Sequence, residues 1–369
     1  MDDRGFPTTI EAVTPAWLTQ VLRADGLLGE GTVIGFSSEP LGVGVGFMSA
    51  MRRITLHCEG APEGAPTTLI AKLPPLDPGA RQIDEAFNFY EKEVGFYQQM
   101  RPSTPMRAPH AHYSAYDPKS RDFILLLEDL APSQIGDQVR GLSFEEAAMA
   151  VDALARLHAR WWGDPKLDEL DWLLRINSPE FMRLTAIYPQ CWPAVLEFVG
   201  PGMAPQVRAA GEGLATQMAA MLDQAWLRPR TMAHGDYRAD NLFFRPGCPD
   251  VPFAVADWQI VFKGNAAFDL AYLLTGSLDV AVRRRREREL LALYHAGLMA
   301  GGVKGYSLDD CLDDYRFWVM LGFAWPVVAI GTLDTANERG LLLFKTWIDR
   351  AMAAIVDWDA QEMLPNPPA

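Results

Sequence analysis

The chain has 369 residues, of which 49% are hydrophobic and 11% aromatic, so it can form two lobes with sizeable cores and is not a disordered chain. Asp and Glu outnumber Lys and Arg by 47 to 33, which argues against nucleic acid or an anionic membrane surface as the main partner. The four cysteines lie far apart and form no Cys-x-x-Cys pair, which argues against a zinc site.

The hydropathy of the chain also bears on its location. The first residues, MDDRGFPTTIEA, are acidic and contain no apolar core segment, so no secretory signal is indicated. No stretch is apolar over the length needed to span a bilayer. We therefore expect a soluble, cytoplasmic protein without a membrane span.

The first part of the chain predicts one short helix followed by strands. Thr14 is a typical helix cap, and Pro15 suits the first turn of a helix. Residues 32–73 contain three strand-like runs, and the glycine-rich stretch LGVGVGF separates the first two. Such a loop allows a backbone to approach phosphates closely, although a flexible hairpin turn has the same composition. Its glycines are Gly42, Gly44 and Gly46.

Lys72 ends the third strand, in the sequence LIAK, where an ammonium group is costly unless it reaches an anion. Its expected partner is a carboxylate on the helix predicted over residues 80–100. Glu91 and Glu93 compete for this role. Glu93 has four aromatic residues at helical neighbour positions, so we expect it to point inward and prefer it as the partner.

The remainder of the chain predicts a mainly helical lobe. The run FILLLEDL is a buried strand, and after it capping boxes at Ser143 and Ser307 begin two of the predicted helices. The one strand-rich interruption lies around residues 232–262. We therefore predict a small antiparallel-sheet lobe over residues 1–129 and a larger helical lobe over residues 130–369.

A polar cluster, AHGDYRADNLFF, lies in that interruption. We predict a hairpin with one strand at 242–244 and a second at 253–256. Antiparallel pairing brings the start of the first strand beside the end of the second, so Asn241 and Asp257 meet at the same end. Asp236 lies one loop turn earlier.

This residue set favours phosphoryl transfer from a nucleotide. An amide oxygen beside a carboxylate suits magnesium, and a second carboxylate can accept a hydroxyl proton. Asp236 and Asn241 have the spacing of a kinase catalytic loop, with Asp257 at the position of the metal-binding aspartate. Each of these residues alone could have an ordinary structural role. Their joint spacing favours a catalytic role. Gly235 replaces the arginine that binds a phosphorylated activation loop, so no such switch is expected.

The motifs HGDYRADN, ADWQ and GNAAFDLAYLL resemble the aminoglycoside phosphotransferase and choline kinase-like family. The segments LEDL and LARLHA resemble its ecdysteroid-kinase-like branch. The resemblance implies an α+β, bilobal protein-kinase-like fold that uses ATP and Mg²⁺. It implies that Asp269 braces the catalytic loop. It also implies that LEDL belongs to the connector between the two lobes, where backbone groups contact adenine. These connector residues are Glu128, Asp129 and Leu130.

Together these features predict a kinase that transfers the γ-phosphoryl group of ATP to a hydroxyl of a small molecule. Asp236 accepts the hydroxyl proton, Asn241 and Asp257 hold magnesium, and Lys72, fixed by Glu93, binds the phosphates. A silent nucleotide-binding protein and a protein kinase are the rival readings. The aromatic composition of the C-terminal lobe favours an apolar or amphipathic acceptor; an aminoglycoside or choline-type cation is the alternative.

Overall fold

A computed structural model describes residues 5–41, 49–248, 252–332 and 338–365. The chain forms two compact units. The N-terminal unit consists of Met1–Ser103 and Ala108–Pro132, and the C-terminal unit consists of Thr104–Arg107 and Ser133–Ala369.

The N-terminal unit contains an antiparallel five-stranded sheet with the order β1-β2-β3-β5-β4. Its strands are β1 Thr32–Pro40, β2 Ala50–Glu59, β3 Thr68–Leu73, β4 Ala111–Tyr116 and β5 Phe123–Glu128. Its helices are α1 Pro15–Ala24, α2 Pro78–Phe87 and α3 Phe89–Gly95. A π-helical turn, Phe96–Met100, and short 3₁₀ turns at Ile10–Ala12 and Arg101–Ser103 complete its regular structure in the described residues.

Helix α1 begins as the sequence predicts and covers one face of this sheet. The Thr14 hydroxyl accepts a hydrogen bond of 3.1 Å from the Trp17 backbone N–H, and Pro15 lies in the first turn. The apolar face of the helix packs against the sheet in one core, which excludes water from both elements. The core includes Trp17, Leu18, Leu22, Ile54, Leu69 and Leu126.

The helix predicted over residues 80–100 is instead divided at Asn88. This residue has φ of 56° and ψ of 42°, a left-handed conformation that ends α2 before α3 begins. Asp84 accepts a hydrogen bond from the Tyr90 backbone N–H, and Arg121 donates to both Asp84 and Asn88. Long-range hydrogen bonds thus favour the break over a continuous helix.

The C-terminal unit is mainly helical. Its helices in the described residues are α4 Phe144–Trp161, α5 Pro179–Met182, α6 Leu184–Val199, α7 Pro205–Leu227, α8 Ala267–Ser277, α9 Val280–Ala300, α10 Leu308–Gly322, α11 Ala324–Thr332 and α12 Glu338–Asp357. Short 3₁₀ turns lie at Pro165–Asp168, Ala239–Asn241, Trp258–Ile260 and Ala360–Met363. Both predicted capping boxes are present, at Ser143 with Glu146 and at Ser307 with Asp310.

Two small sheets contain the predicted strand-rich interruption, and one of them adds strand β6 from residues 134–135. Their strands are β6 Gln134–Ile135, β7 Arg230–Ala233, β8 Leu242–Phe244, β9 Phe253–Val255 and β10 Phe262–Asn265. Strand β7 pairs with β10, and β8 lies between β6 and β9. The predicted hairpin is therefore β8–β9, with Leu242 opposite Val255.

Helix α8 lies at the centre of this unit. All but one of its residues are buried, which requires an apolar helix surface on every side. Its polar residues are therefore held by specific partners, and three of them, Asp269, Tyr272 and Ser277, reach the loop between β7 and β8. Among the helices that the structure describes, none is both long and apolar enough to cross a membrane.

Candidate active site

The loop that connects β7 to β8 carries the HGDYRADN sequence. Its tight turn requires glycine at position 235, where φ is +87° and an added Cβ would lie 2.3 Å from the Ile260 carbonyl oxygen. This close approach explains in part why Gly235 stands where protein kinases have arginine.

Asp269 on helix α8 braces this loop, as predicted. Its carboxylate accepts hydrogen bonds from the backbone N–H groups of His234, at 2.7 Å, and Gly235, at 2.9 Å. The same carboxylate lies 3.1 Å from His158 Nε2, and the other nitrogen of His158 contacts the Tyr294 hydroxyl. His158 thus has a structural role, because it orients the carboxylate that fixes the loop.

His234 connects the loop to the β8–β9 hairpin. Its Nδ1 accepts a hydrogen bond from the Asp236 backbone N–H, and its Nε2 lies 3.1 Å from the Ala256 carbonyl oxygen. Burial lowers the pKa of His234, so the ring is neutral and can accept at one nitrogen while it donates at the other. The His234 ring therefore connects the backbone of Asp236 to that of Ala256, the residue before Asp257.

Asp236 is 8% exposed, and its carboxylate accepts several hydrogen bonds. Tyr272 on helix α8 donates its hydroxyl to Oδ1 at 3.0 Å, and the Asn241 amide donates to Oδ2 at 2.8 Å. Arg238 Nε lies 3.2 Å from each carboxylate oxygen. Burial raises the pKa of Asp236, but the Arg238 charge and the hydrogen bonds outweigh it, so the pKa is lowered and the side chain is ionised at neutral pH.

Asn241 and Asp257 lie at the same end of the hairpin, as the predicted strand pairing requires. The Ala256 backbone N–H donates to the Asn241 carbonyl oxygen at 3.1 Å, so Asp257 directly follows the residue paired with Asn241. The amide nitrogen of Asn241 donates to Asp236, which turns its amide oxygen away from that carboxylate.

The backbone of Asp257 is left-handed, with φ of 67° and ψ of 66°. A non-glycine residue in this region is uncommon, although Asp tolerates it better than most, and such residues cluster at functional sites. An amide oxygen and a carboxylate form a hard-oxygen donor pair, the chemistry that magnesium prefers. The side chains at positions 241 and 257 therefore fit such an ion.

Lys72 and Glu93 form a buried ion pair within the N-terminal unit. Lys72 Nζ lies 2.8 and 2.7 Å from the two carboxylate oxygens of Glu93, and the residues are 4% and 1% exposed. Strand β3 supplies the lysine and helix α3 supplies the glutamate. Of the two glutamates that competed on sequence grounds, Glu93 is the partner, whereas Glu91 is half-buried.

The predicted connector residues end strand β5 in the N-terminal unit. Glu128 Oε2 accepts a hydrogen bond from the His110 backbone N–H, and Leu130 is buried. Arg53 Nε lies 2.7 Å from the Asp129 carboxylate. Burial raises the pKa of Asp129, but the hydrogen bonds that the carboxylate accepts, with Arg53 first, outweigh burial and leave the pKa below its usual value. The Asp129 side chain thus has a structural partner, which leaves backbone groups as the candidates for contact with a base.

The predicted glycine-rich loop connects β1 to β2. Its glycines, Gly42, Gly44 and Gly46, lie outside the described residues. Strand β1 ends at Pro40 and β2 begins at Ala50, so the segment joins two antiparallel neighbours.

Two polar residues that the sequence reasoning did not identify contact Asp236. They are Tyr272 and Arg238, and Arg238 also binds Asp240 at 2.7 Å. Tyr272 lies three residues after Asp269 on helix α8, so the helical period brings both to the same loop. The three-residue spacing of Asp269 and Tyr272 in GNAAFDLAYLL could therefore have predicted that both side chains contact this loop.

Residues 61–306, more than half of the chain, match the phosphotransferase enzyme family, APH. The chain therefore belongs to this family and is a phosphotransferase. A sequence comparison with curated proteins gave no match.

Three solved structures are similar to this chain. The GDP complex of wild-type aminoglycoside 2′-phosphotransferase-IIIa is 14% identical with a TM-score of 0.51, over 95% of this chain and 100% of that one. A mutant of that enzyme, also with GDP, is 12% identical with a TM-score of 0.53, over 94% and 98%. Choline kinase LicA from Streptococcus pneumoniae is 12% identical with a TM-score of 0.48, over 85% and 92%.

The first two likenesses confirm the predicted α+β, protein-kinase-like fold. Assignment to the ecdysteroid-kinase-like branch stays a prediction.

Proposed function

We propose that the protein transfers the γ-phosphoryl group of ATP to a hydroxyl of a small apolar or amphipathic molecule. The observation that carries this proposal is the buried Asp236 carboxylate, hydrogen-bonded to Asn241 at the hairpin end that also carries Asp257. A structural loop has no need of an ionised, buried carboxylate beside a hard-oxygen donor pair, and phosphoryl transfer uses both.

In the proposed reaction, Asp236 orients the acceptor hydroxyl and takes its proton. The hydroxyl oxygen forms a bond to the γ-phosphorus while the bond to the β–γ bridging oxygen breaks, and ADP leaves. The lowered pKa supports this role because the carboxylate is ionised before the acceptor binds. Asn241 and Asp257 are the proposed ligands of Mg²⁺, which neutralises phosphate charge when bound.

The N-terminal unit supplies the proposed nucleotide contacts. Lys72, held by Glu93, is the proposed cation for the phosphates. The segment with Gly42, Gly44 and Gly46 is proposed to cover the phosphates, and the backbone of Glu128, Asp129 and Leu130 is proposed to contact the base.

Two half-buried tryptophans support an apolar acceptor. The ring of Trp347 lies 5.5 Å from that of Tyr272, whose hydroxyl binds Asp236. The Trp325 ring lies 5.0 Å from Phe268, which stacks on Tyr272 at 5.6 Å. Aromatic rings near the proposed base provide apolar area for an acceptor without demanding polar partners.

The second candidate function uses the same rings. Aromatic faces also bind quaternary ammonium groups, so a choline-type or aminoglycoside-type acceptor is the alternative. A polycationic acceptor needs carboxylates that pair with each ammonium group. The two tryptophans make ring contacts with Tyr272 and Phe268, and the Tyr272 hydroxyl donates to a single carboxylate, that of Asp236. This favours the apolar acceptor.

The proposal is tested by transfer of labelled γ-phosphate from ATP across a library of hydroxyl compounds. Asp236→Asn keeps the shape of the side chain and removes the proton acceptor, so transfer should fall by about 10²–10⁴-fold while ATP binding persists. Asp309→Asn, at an exposed position in α10, is the control for loss of one negative charge. ATP binding without transfer to any compound by the wild type would instead indicate a silent nucleotide-binding protein.

A further inference from the structure

A histidine–aspartate cluster lies in the N-terminal unit, on residues that the proposed reaction does not use. His110 Nε2 is 2.9 and 3.0 Å from the two carboxylate oxygens of Asp25, and His112 Nδ1 is 2.7 Å from Asp25 Oδ2. One ligand atom from each residue lies within 4.8 Å of the others. Two imidazole nitrogens and one carboxylate oxygen therefore converge on one point.

The local fold builds this convergence. The register of β4 against β5 shifts between Ala111 and Tyr113, so His112 is the extra residue of a β-bulge. Bulges re-aim side chains at sheet edges, and β4 is an edge strand. The backbone of His110 is fixed on the other strand, because it exchanges hydrogen bonds with the backbone and the side chain of Glu128.

The electrostatics of the cluster favour a cation. Asp25 follows the last residue of helix α1, where the free carbonyl groups already carry partial negative charge. A carboxylate at this end is unfavourable unless a cation lies beside it. Neutral imidazole is the form that coordinates metals.

We propose that Asp25, His110 and His112 bind one divalent transition-metal ion of the zinc class. The ligand set of two nitrogens and one oxygen suits such ions and not magnesium. The site uses no cysteine, so the scattered cysteines do not bear on it. In a tetrahedral zinc site with bonds of about 2.0–2.1 Å, neighbouring ligand atoms are roughly 3.3–3.4 Å apart. The His–Asp separations of 2.7 to 3.0 Å need to widen slightly, and the two imidazole nitrogens lie within 4.8 Å of each other.

The site is open on one side. The His110 side chain is 55% exposed, which gives an ion an entry path and leaves a fourth position for water. A bound ion links the end of α1 to the edge strand β4, two elements that the Trp17–Tyr113 ring contact at 5.3 Å also holds together. The expected consequence of binding is a more stable N-terminal unit.

Zinc titration of the tag-free full chain against a chromophoric chelator, with Mg²⁺ in excess, tests the proposal. The wild type should bind one Zn²⁺ per chain, and His110→Gln should weaken the affinity by at least about tenfold. Because the His110 side chain is exposed, His110→Gln should keep the fold, and circular dichroism of the variant checks this. His57→Gln, at an exposed position in β2, is the matched control and should bind as the wild type does.

Two further measurements separate this site from others. Zn²⁺ should raise the melting temperature of the wild type and of His57→Gln but not that of His110→Gln. Bound Co²⁺ should give a spectrum without a thiolate charge-transfer band, since no cysteine is a ligand. Equal zinc affinity in the wild type and His110→Gln, or a thiolate band in the Co²⁺ spectrum, would overturn the assignment.

Discussion

At the scale of single residues, the hydroxyl of Tyr272 is the contact on Asp236 that can be removed most cleanly. It donates to Oδ1 at 3.0 Å from a helix whose surface is buried almost throughout. A hydrogen bond to the ionised carboxylate favours that form, so its loss should raise the pKa of Asp236.

Tyr272→Phe should therefore move the acidic limb of the kcat/KM profile to higher pH. Hydrogen bonds to charged groups contribute about 1.5–3 kcal/mol, so the acidic limb should move up by roughly 1–2 pH units, and kcat/KM should fall on that limb rather than at neutral pH, where the carboxylate stays ionised. The measurement is a pH profile of phosphoryl transfer. Tyr315→Phe is the control, because Tyr315 is also buried and donates to a carboxylate, that of Glu287. An acidic limb that does not move in Tyr272→Phe would contradict the prediction.

At the scale of elements, the Lys72–Glu93 pair joins strand β3 to the short helix α3. Removing one member of a buried ion pair leaves the other charge in a medium of low dielectric constant, which costs about 3–5 kcal/mol. Glu93→Gln can still form hydrogen bonds. It should therefore lower the free energy of unfolding of the N-terminal unit by at most about 3–5 kcal/mol.

Urea unfolding followed by tryptophan fluorescence measures this effect. Glu91→Gln, two residues away and half-buried, should change the midpoint little, because surface substitutions usually stay within about 0.5 kcal/mol. Equal midpoints for the two variants would show that the pair does not hold β3 to α3.

The elements also show how far sequence reasoning reaches. Local signals sufficed for α1, the capping boxes and the β8–β9 hairpin, because Thr14, Ser143 and the turn between the strands act within a few residues. The spacing from Asp236 to Asn241 and the hairpin pairing likewise predicted which polar residues the structure brings together.

The features that were missed depend on distant partners. The break at Asn88 is held by Arg121, which is far along the chain, as well as by the local hydrogen bond from Tyr90 to Asp84. Strand β4, AHYSAY, is half-buried along its whole length and lacks the alternation that predicts a strand. Arg238 reads as an ordinary loop cation until the fold places it on Asp236.

At the scale of the whole molecule, ligand binding should change the stability of the chain. A ligand that binds only the folded state at 100 times its Kd stabilises it by about 2.7 kcal/mol. ATP with Mg²⁺ should therefore raise Tm more than ATP with EDTA. Asp257→Asn keeps a residue that tolerates the left-handed backbone and removes the charge, so most of the magnesium-dependent part should disappear. An unchanged magnesium-dependent shift would exclude Asp257 as a ligand; Asp309→Asn is the control.

Acceptor selectivity is also a property of the whole C-terminal unit, because helices α8, α11 and α12 each contribute a ring to the aromatic cluster that contains Tyr272 and Phe268. Trp347→Ala should raise KM for a sterol-like alcohol and leave KM for ATP unchanged. Burial of apolar surface contributes about 25 cal/mol per Å², so a lost contact of roughly 60–100 Å² corresponds to a 10-fold or larger rise. Trp226→Ala is the control, since the guanidinium groups of Arg175 and Arg230 lie over that ring.

The competing acceptors are kanamycin-like and choline-like alcohols. Efficient phosphorylation of either, with none of the sterol-like compound, would assign the tryptophans to recognition of a cation, because their faces attract an ammonium group as readily as they cover an apolar one.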